Sequence, residues 1–418
     1  MRARVLAINA GSSSIKAALF EGADGSLARV ASASVDRLHT PDAALRVEGG
    51  GQPEKVGGDG GVQRSLDAVL AALGAKHGAD LTAVGHRVVH GGALTESSLW
   101  APAVADAVRR ATVFAPLHNP ANVACLEATA AALPGVPAVA VFDTAWHASL
   151  PAAVAAYAVP QAWRDGGWGE RAPPVRKYGF HGISYQGLVA SLAGLLGVDA
   201  TSGVDAVAFH LGAGASAAAV SRSRSLDTTM GVTPTAGLIS ATRCGDLDPG
   251  LVIERVAAAA GRGDGAATIA ADLRTLNSRA GLLGLAGIGS GDMRDVMAAA
   301  GRGDAAAHLA LDAYAHRARS TLGAHLLHLA AAGTPARAIA FTGGVGEGAP
   351  GVRAAILAGL EGWAGVLLNS AANEAAVGPR APALIHAPGS RLAIAVVPAD
   401  EEGTIAREAA RVVAEAAA

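Results

Sequence analysis

What this sequence lacks narrows it first. Two cysteines in 418 residues, Cys125 and Cys244, are too few for a disulfide framework and fit a reducing compartment. A formal net charge of −2 removes the electrostatic case for nucleic acid or an anionic membrane as partner. Long apolar runs are missing as well. The Ala-rich stretch from Ala153 to Val159 is too short to span a bilayer, and the first residues lack the apolar segment of a secretory signal, so the chain reads as cytoplasmic. Lysine is confined to Lys16, Lys55, Lys76 and Lys177, so Lys16 and Lys177 stand out where they fall among other polar groups. What is present is apolar bulk: 51% hydrophobic residues at this length bury two cores, which favours two domains and small-molecule work.

The most informative segment that is there runs from Val5 to Phe20, an apolar strand, the polar turn Asn9-Ala10-Gly11-Ser12-Ser13-Ser14, and a second apolar strand. The turn offers backbone N–H groups, hydroxyls and a carboxamide in a small volume, which suits nucleotide phosphates. It is not a Walker A loop, because Lys16 is not set in Gly-Lys-Ser/Thr and strand rather than helix follows. Such a hairpin points toward the actin, sugar-kinase and chaperone-ATPase type of fold. The stretch Asp205 to Val220 repeats the design, and two such hairpins imply a duplicated fold.

Between and beyond the hairpins the chain alternates strand and helix signals. Glu48 to Gly61 reads as an exposed Gly-rich loop, Val62 to Leu73 as a helix, Ala83 to Gly92 as a strand ending in a Gly turn, and Asn119-Pro120 as a helix start. Ala138 to Asp143 is a short buried strand, and Leu150 to Arg176 is the best candidate for the crossing between domains. Ala305 to Ala332 is a long helix, Ile339 to Gly348 a strand running into a Gly-rich loop, and Leu392 to Pro398 a strand before an acidic helix start at Asp400-Glu401-Glu402.

Several short stretches combine cations, imidazoles and carboxylates with Gly or Pro: Arg87 to Gly92, Leu117 to Pro120, Phe142 to Thr144, Tyr178 to Gly182, Thr242 to Asp246, and Asp292 to Arg294. Phosphoryl transfer needs this kit. The group in flight spreads negative charge over three oxygens, so catalysis consists mostly of positioning and electrostatic stabilisation.

With these stretches in order, the chain closely resembles the acetate kinase family. The resemblance rests on Asn9 to Lys16, Gly85 to Gly92, Ala115 to Asn122, Val141 to Ala145, Tyr178 to Gly182, Asp227 to Gly231, Thr242 to Pro249, Asp292 to Asp295 and Phe341 to Glu347. It implies an α/β fold of two ribonuclease-H-like domains of the actin-like ATPase kind, with mixed central sheets flanked by helices and a cleft between. Residues 1–150, completed by 390–418, would form the first domain, and 151–389 the second, carrying nucleotide binding and dimerisation. The activity implied is reversible, Mg2+-dependent transfer of the γ-phosphoryl of ATP to acetate, giving acetyl phosphate and ADP, in a cytoplasmic homodimer; Mn2+ is an acceptable substitute for Mg2+.

Carried over residue by residue, the resemblance makes Asp143, His181, Arg243 and Arg87 the catalytic set and Asn9 and Glu401 the residues that hold or orient the metal. Ser12, Ser14, Lys16 and His118 would face the phosphates. His210, Leu211, Gly212, Ala213 and Gly214, then Gly344, Val345, Gly346, Glu347 and Gly348, would line the nucleotide, with Asp292, Met293 and Arg294 around ribose and adenine. Arg87, Val89, Leu117, Phe180 and Pro234 would form the carboxylate pocket, which Val89 keeps short in favour of acetate.

Three positions depart from the family pattern: Ala213 and Gly348 stand where Asn is usual, and Ala236 where Glu is. Ala213 removes a side-chain donor near the phosphates and predicts weaker nucleotide affinity. Cys244 beside Arg243 is either a thiol of lowered pKa or, the favoured reading, an inert small residue. Rival readings are a propionate kinase, a nucleotide-binding relative without turnover, and a metallohydrolase built on His86 and His90; the last is disfavoured because these two fall on a strand and acidic ligands are sparse.

Overall fold

The computed structural model describes residues 3–11, 14–23, 26–57, 61–75, 80–165, 168–169, 171–199 and 201–418. Two mixed sheets organise the chain. The first holds β1 (Ala3–Ala10), β2 (Ser14–Ala23), β3 (Ser26–Asp36), β4 (Ala44–Val47), β5 (Glu54–Lys55), β6 (Ala83–Val88), β7 (Ser98–Leu99) and β8 (Ala138–Phe142), in the order β5-β4-β3-β2-β1-β6-β8-β7. The second holds β9 (Ala206–Leu211), β10 (Ala215–Ser221), β11 (Arg224–Thr228), β12 (Ala338–Thr342), β13 (Ala383–Leu384) and β14 (Ala393–Val396), in the order β11-β10-β9-β12-β14-β13. The design is the same in both. An antiparallel hairpin, β1-β2 or β9-β10, hands over to parallel neighbours, β6 and β8 in one sheet and β12 and β14 in the other.

The parallel strands β6, β8 and β12 are almost wholly buried because both of their faces are covered. Alternation along β1 sends Leu6 and Ile8 to one cluster, with Ile15, Leu66 and Val69, and Val5 and Ala7 to another, with Phe20, Ile405 and Ala409. In the second sheet Val207, Phe209, Ile339 and Phe341 face the core that includes Tyr314 and Leu322, while Ala206, Ala208, Ala338 and Ala340 face Tyr185, Leu188 and Leu192. Phe209 and Phe341 are register partners on adjacent strands, and their rings stack 5.4 Å apart.

Two helices lie between the sheets. Gly182–Leu196 packs on the second sheet, the last helix Glu401–Ala417 packs on the first, and Gln186 Nε2 donates to Glu408 Oε1 across them at 2.8 Å. Gly187 permits this approach, since a Cβ there would stand 2.6 Å from Thr404 Oγ1. Two expectations are corrected. β14 belongs to the second sheet, so the return to the first begins at the last helix and not at residue 390. The segment after β12 is a six-residue helix, Gly343–Gly348, and not an open loop, because Glu347 Oε1 accepts from the Gly343 N–H and closes the turn.

Candidate active site

The parallel strands β1, β6 and β8 end side by side, and those ends carry Asn9, Arg87 and the residue after β8, Asp143. Arg87 donates to one carboxylate oxygen of Asp143 through Nε at 2.9 Å and Nη2 at 2.6 Å, and through Nη1 to Asn9 Oδ1 at 3.2 Å. Asn9 Nδ2 in turn donates to Glu401 Oε2 at 3.0 Å, at the first turn of the last helix. A connected chain therefore runs Asp143–Arg87–Asn9–Glu401. Burial opposes the charge on Arg87, but Asp143 and then Glu401 outweigh it and hold the guanidinium more firmly protonated than in free arginine. Glu402, next along, is pushed up by burial and by the adjacent carboxylates Glu401 and Asp400, with Lys16 opposing.

His181 faces this chain from the other side. It precedes the helix Gly182–Leu196 in the left-handed conformation, φ 59°, a strained geometry for a residue with a Cβ and one that tends to mark functional sites. Gly182 makes the placement possible. Its N–H donates to the Asp143 carbonyl at 2.9 Å, and a Cβ on it would collide with that oxygen at 2.3 Å. The His181 ring is fixed by Ser216 Oγ, 2.9 Å from Nδ1, and by stacking on His210 with centroids 4.1 Å apart. Ser216 Oγ is also 2.6 Å from the Tyr185 hydroxyl, and His210 Nδ1 is 2.8 Å from Ser184 Oγ.

Arg243 meets His181 at the second hairpin. A Cβ on Gly214 would stand 3.2 Å from both Arg243 Nη1 and His181 Nε2, so glycine is what lets all three converge. Arg243 Nη1 donates to the Pro234 carbonyl at 3.1 Å. Burial lowers its pKa, and Arg87 adds to the effect. The imidazoles around the two guanidinium groups are neutral. His181 lies well below its ordinary value through burial, then His210, Arg87 and Arg243; His118 falls to about 4 through burial, then Arg243 and Arg87; and His210 is lowered by burial, with Glu401 opposing. Two cations with neutral N–H donors in a buried cleft form a site for an oxyanion.

Beside this cluster Val89, Ala115, Phe180 and Met230 make a small closed apolar group. Val89 and Phe180 were expected there. Leu117, also expected there, is 58% exposed and outside the group, while Pro234 is half-buried and contributes its carbonyl to Arg243. Sequence reasoning missed Ala115 and Met230, although both lie within the stretches that carry the family resemblance. It also missed Asn122, whose buried amide takes the Val89 N–H at 3.1 Å and donates to the Ala10 carbonyl at 2.7 Å, locking the pocket strand to the first hairpin. His147 is a further support of the site. Its ring spans Ser225 Oγ at 2.7 Å and the Phe180 carbonyl at 2.9 Å, directly behind His181.

On the nucleotide side, Lys16 is exposed on β2, where it pairs in register with Asn9; Ser14 caps the hairpin by accepting the Gly11 N–H; Ser12 lies outside the described residues. Gly212, Ala213 and Gly214 form the β9–β10 turn, and Gly212 approaches the Gly344 N–H. Glu347 acts as a clamp, its Oε1 accepting from both Gly343 and Ala399 N–H at 3.0 Å. Gly346 and Glu347 carbonyls are held by Arg353, a fully buried residue that no local pattern marks. The side chains of Leu211 and Met293 are buried in the core of the second sheet, so these positions present backbone to the nucleotide side. Asp292 and Arg294 bind each other at 2.6 Å, and Asp292 caps the helix Met293–Gly301. Val345 is half-buried and packs on the same core, and Gly344 and Gly348 have open space at their Cβ positions.

Burial pushes the pKa of the half-buried Cys244 up and its Sγ contacts the Gly245 carbonyl, the direction of the inert reading. His86 and His90 are buried and neutral, at about 3 and about 4 through burial, and neither joins a three-residue metal-capable group among the described residues.

The sequence profile of the acetokinase family matches residues 4–407. The acetate kinase of Streptomyces coelicolor is 39% identical over 420 residues, covering 99% of this chain and 97% of that protein. Among solved structures, an acetate kinase of Porphyromonas gingivalis superposes with a TM-score of 0.84 at 32% identity, covering 98% of this chain and 100% of that one. A propionate kinase of Francisella tularensis superposes at 0.86 with 29% identity and the same coverage.

Proposed function

The chain belongs to the acetokinase family and is a kinase, and on that premise we propose that it transfers the γ-phosphoryl of ATP reversibly to acetate, giving acetyl phosphate and ADP. The observation that carries this reading is the meeting of Arg243 and neutral His181 at Gly214, within electrostatic reach of Arg87, next to the buried apolar group of Val89, Ala115, Phe180 and Met230. Acetate is already ionised at neutral pH, so no general base is needed. Its carboxylate oxygen attacks the γ-phosphorus in line while the bond to the bridging oxygen of ADP breaks. Arg87, held by Asp143, and Arg243, held by the Pro234 carbonyl, take the equatorial oxygens through their forked donors. With Tyr185 donating to Ser216 and Ser216 donating to Nδ1, the neutral His181 ring carries its proton on Nε2 and presents it to the transferring group.

The oxygen groups of Asn9 near the end of β1 and of Glu401 and Glu402 in the first turn of the last helix match the ligand chemistry of Mg2+, and Asn9 and Glu401 would hold or orient it through its water shell. When bound, the ion neutralises charge on the nucleotide phosphates. Residues Ser14, Lys16, His118, His210 to Gly214 and Gly344 to Gly348 line the phosphate and nucleotide side of this reading, with Asp292 and Arg294 at its outer edge.

Buried Val89 limits the pocket, supporting acetate over propionate; a methylene discriminates by only about 1–3 kcal/mol, so some propionate turnover is expected. A homodimer is supported by exposed Leu251, Ile253, Ile269 and Leu273 on two adjacent helices, Pro249–Ala260 and Gly265–Ser278. No helix among the described residues is long and apolar enough to cross a membrane, and the reading is of a cytoplasmic enzyme. The test is an ATP- and Mg2+-dependent hydroxylamine trap for acyl phosphate with acetate, propionate and butyrate side by side. A signal greatest with acetate supports the proposal. No signal with any acid, from folded protein that binds ATP, sinks it.

A further inference from the structure

The long helix Ala305–Ala331 carries His325 and His328 three residues apart, hence on one face, and that face meets Asp227 on β11. His325 is 3% exposed, and neither of its ring nitrogens makes a well-formed hydrogen bond, the Ala217 backbone being the polar group that lies near the ring. An unpaired buried imidazole is costly, on the order of 1–3 kcal/mol, and calls for an explanation.

The Asp227 carboxylate supplies one. Its Oδ1 is used by protein donors, accepting from Lys177 Nζ at 2.9 Å and from the Thr228 N–H at 2.7 Å. Its Oδ2 points the other way, 3.1 Å from His328 Nδ1 and 3.8 Å from His325 Nδ1. One oxygen is thus anchored and oriented from behind while the other faces two imidazoles, which is how an outer partner positions a metal-ligating carboxylate. Ligand atoms of the three residues all lie within 4.8 Å of one another. Ligands around a tetrahedral Zn2+ sit about 3.3 Å apart, so small rotations of the side chains suffice to close the set.

We propose that Asp227, His325 and His328 form a binding site for one divalent transition-metal ion of the Zn2+ type, separate from the nucleotide-linked Mg2+. Two imidazole nitrogens and one carboxylate oxygen select Zn2+ over Mg2+ and Ca2+, which take oxygen ligands. His328 is half-exposed, so the fourth position opens to solvent and a water completes it. Burial keeps His325 neutral, at about 4, with Asp227 opposing, so its lone pair is available at neutral pH. The Lys177 ammonium on Oδ1 weakens the attraction for a cation, which sets the affinity below that of a closed structural site. Asp227 leads into Met230 of the apolar pocket and Lys177 into His181, so a bound ion braces both against the long helix.

The experiment is a calorimetric titration of the full chain, free of any affinity tag and stripped with chelator, with Zn2+ in buffer lacking nucleotide and Mg2+. One Zn2+ per chain is expected, with a rise in Tm, no competition from excess Mg2+, and a tetrahedral visible spectrum when Co2+ replaces Zn2+. His328→Ala, at a half-exposed position that keeps the fold, should weaken binding at least about tenfold and abolish the rise in Tm. His316→Ala, on the same helix outside the cluster, should change neither. Absence of saturable binding, or equal affinity in His328→Ala and the parent chain, overturns the proposal and leaves Asp227 as a plain ion-pair partner of Lys177.

Discussion

The Arg87 guanidinium grips a single oxygen of Asp143 through two nitrogens, at 2.6 and 2.9 Å, and spends its third on Asn9. Asp143 is buried and Arg87 nearly so; removing the acid leaves a guanidinium without its counter-charge. Asp143→Ala should therefore cost about 3–5 kcal/mol of stability by urea unfolding. It should also lower kcat by about 100-fold or more, because a misplaced Arg87 no longer meets the oxyanion. A variant with full stability and normal kcat would remove Asp143 from the proposed machinery.

His181 is aimed by Ser216, and Ser216 by Tyr185. If His181 acts in the transition state, His181→Ala lowers kcat by about 100-fold or more while the Kd for ATP changes less than threefold. Ser216→Ala should give a smaller fall in kcat of about tenfold, again with little effect on ATP binding, since it loosens the ring without removing it. Equal losses in kcat and ATP affinity would make His181 a binding residue instead. Rates of both variants, with Kd by calorimetry, decide the matter.

The reading of the sequence succeeded where chemistry and local pattern coincide. Apolar strands flanking a Gly/Ser turn announced both hairpins, and their repetition announced two sheets of one design. Arg87, Asp143, His181 and Arg243 were legible because charged and imidazole groups beside Gly at strand ends are rarely needed for packing. The supports were not legible. Asn122, His147 and Arg353 act through buried hydrogen bonds to distant backbone, between residues separated by 112, 33 and 6 or more positions, and no local pattern encodes such a partner. Leu117 stands apart from the apolar group for the complementary reason: an apolar residue in a matched stretch reads as a pocket wall, yet its exposure depends on where the helix after it begins.

Arg353 is the clearest of these supports. Its side chain is fully buried and forms no salt bridge among the described residues, Glu374 acting on it only at longer range, and it donates to the Gly346, Glu347, Asn373 and Ala376 carbonyls and to Asn373 Oδ1. Arg353→Met should destabilise by about 3 kcal/mol or more through the acceptors left unpaired. Arg353→Lys should recover only part of that, lacking the planar fork. Both should raise KM for ATP more than KM for acetate, because the carbonyls released belong to the Gly343–Gly348 turn. Equal changes in both KM values would argue for general loosening.

Buried neutral histidines set the acid limit of stability. His86 is held at about 3, and His90 and His147 at about 4, by burial. In the unfolded chain each titrates near 6.5, so between about 4 and 6.5 the unfolded state binds more protons and stability rises with pH. Their contribution is complete above about pH 6.5 and is lost progressively on acidification. The urea midpoint should therefore be level from pH 7 to 8 and fall below 6.5. His86→Phe, which removes one such group, should reduce the slope there by up to about 1.4 kcal/mol per pH unit. An unchanged slope would mean that His86 is protonated in the native state.

Ala213 sits exposed in the turn between β9 and β10, flanked by Gly212 and Gly214, with only its backbone carbonyl engaged, by the Ala241 N–H at 3.0 Å. The turn therefore has room for a longer side chain, and Asn there would add an amide donor beside the phosphate path without disturbing His181 or Arg243. One hydrogen bond to a nucleotide phosphate is worth about 0.5–1.5 kcal/mol net, so Ala213→Asn should lower the KM for ATP by about 3–10-fold. The KM for acetate and kcat should stay within twofold, since the proposed reading sets the acetate carboxylate and the reacting phosphoryl at Arg87, His181 and Arg243, not at this position. Steady-state kinetics on the two proteins measure all three. An ATP KM identical to that of the parent chain would mean that the backbone N–H groups of Gly212 and Gly214 already saturate the phosphates, and that the missing Asn costs this protein nothing.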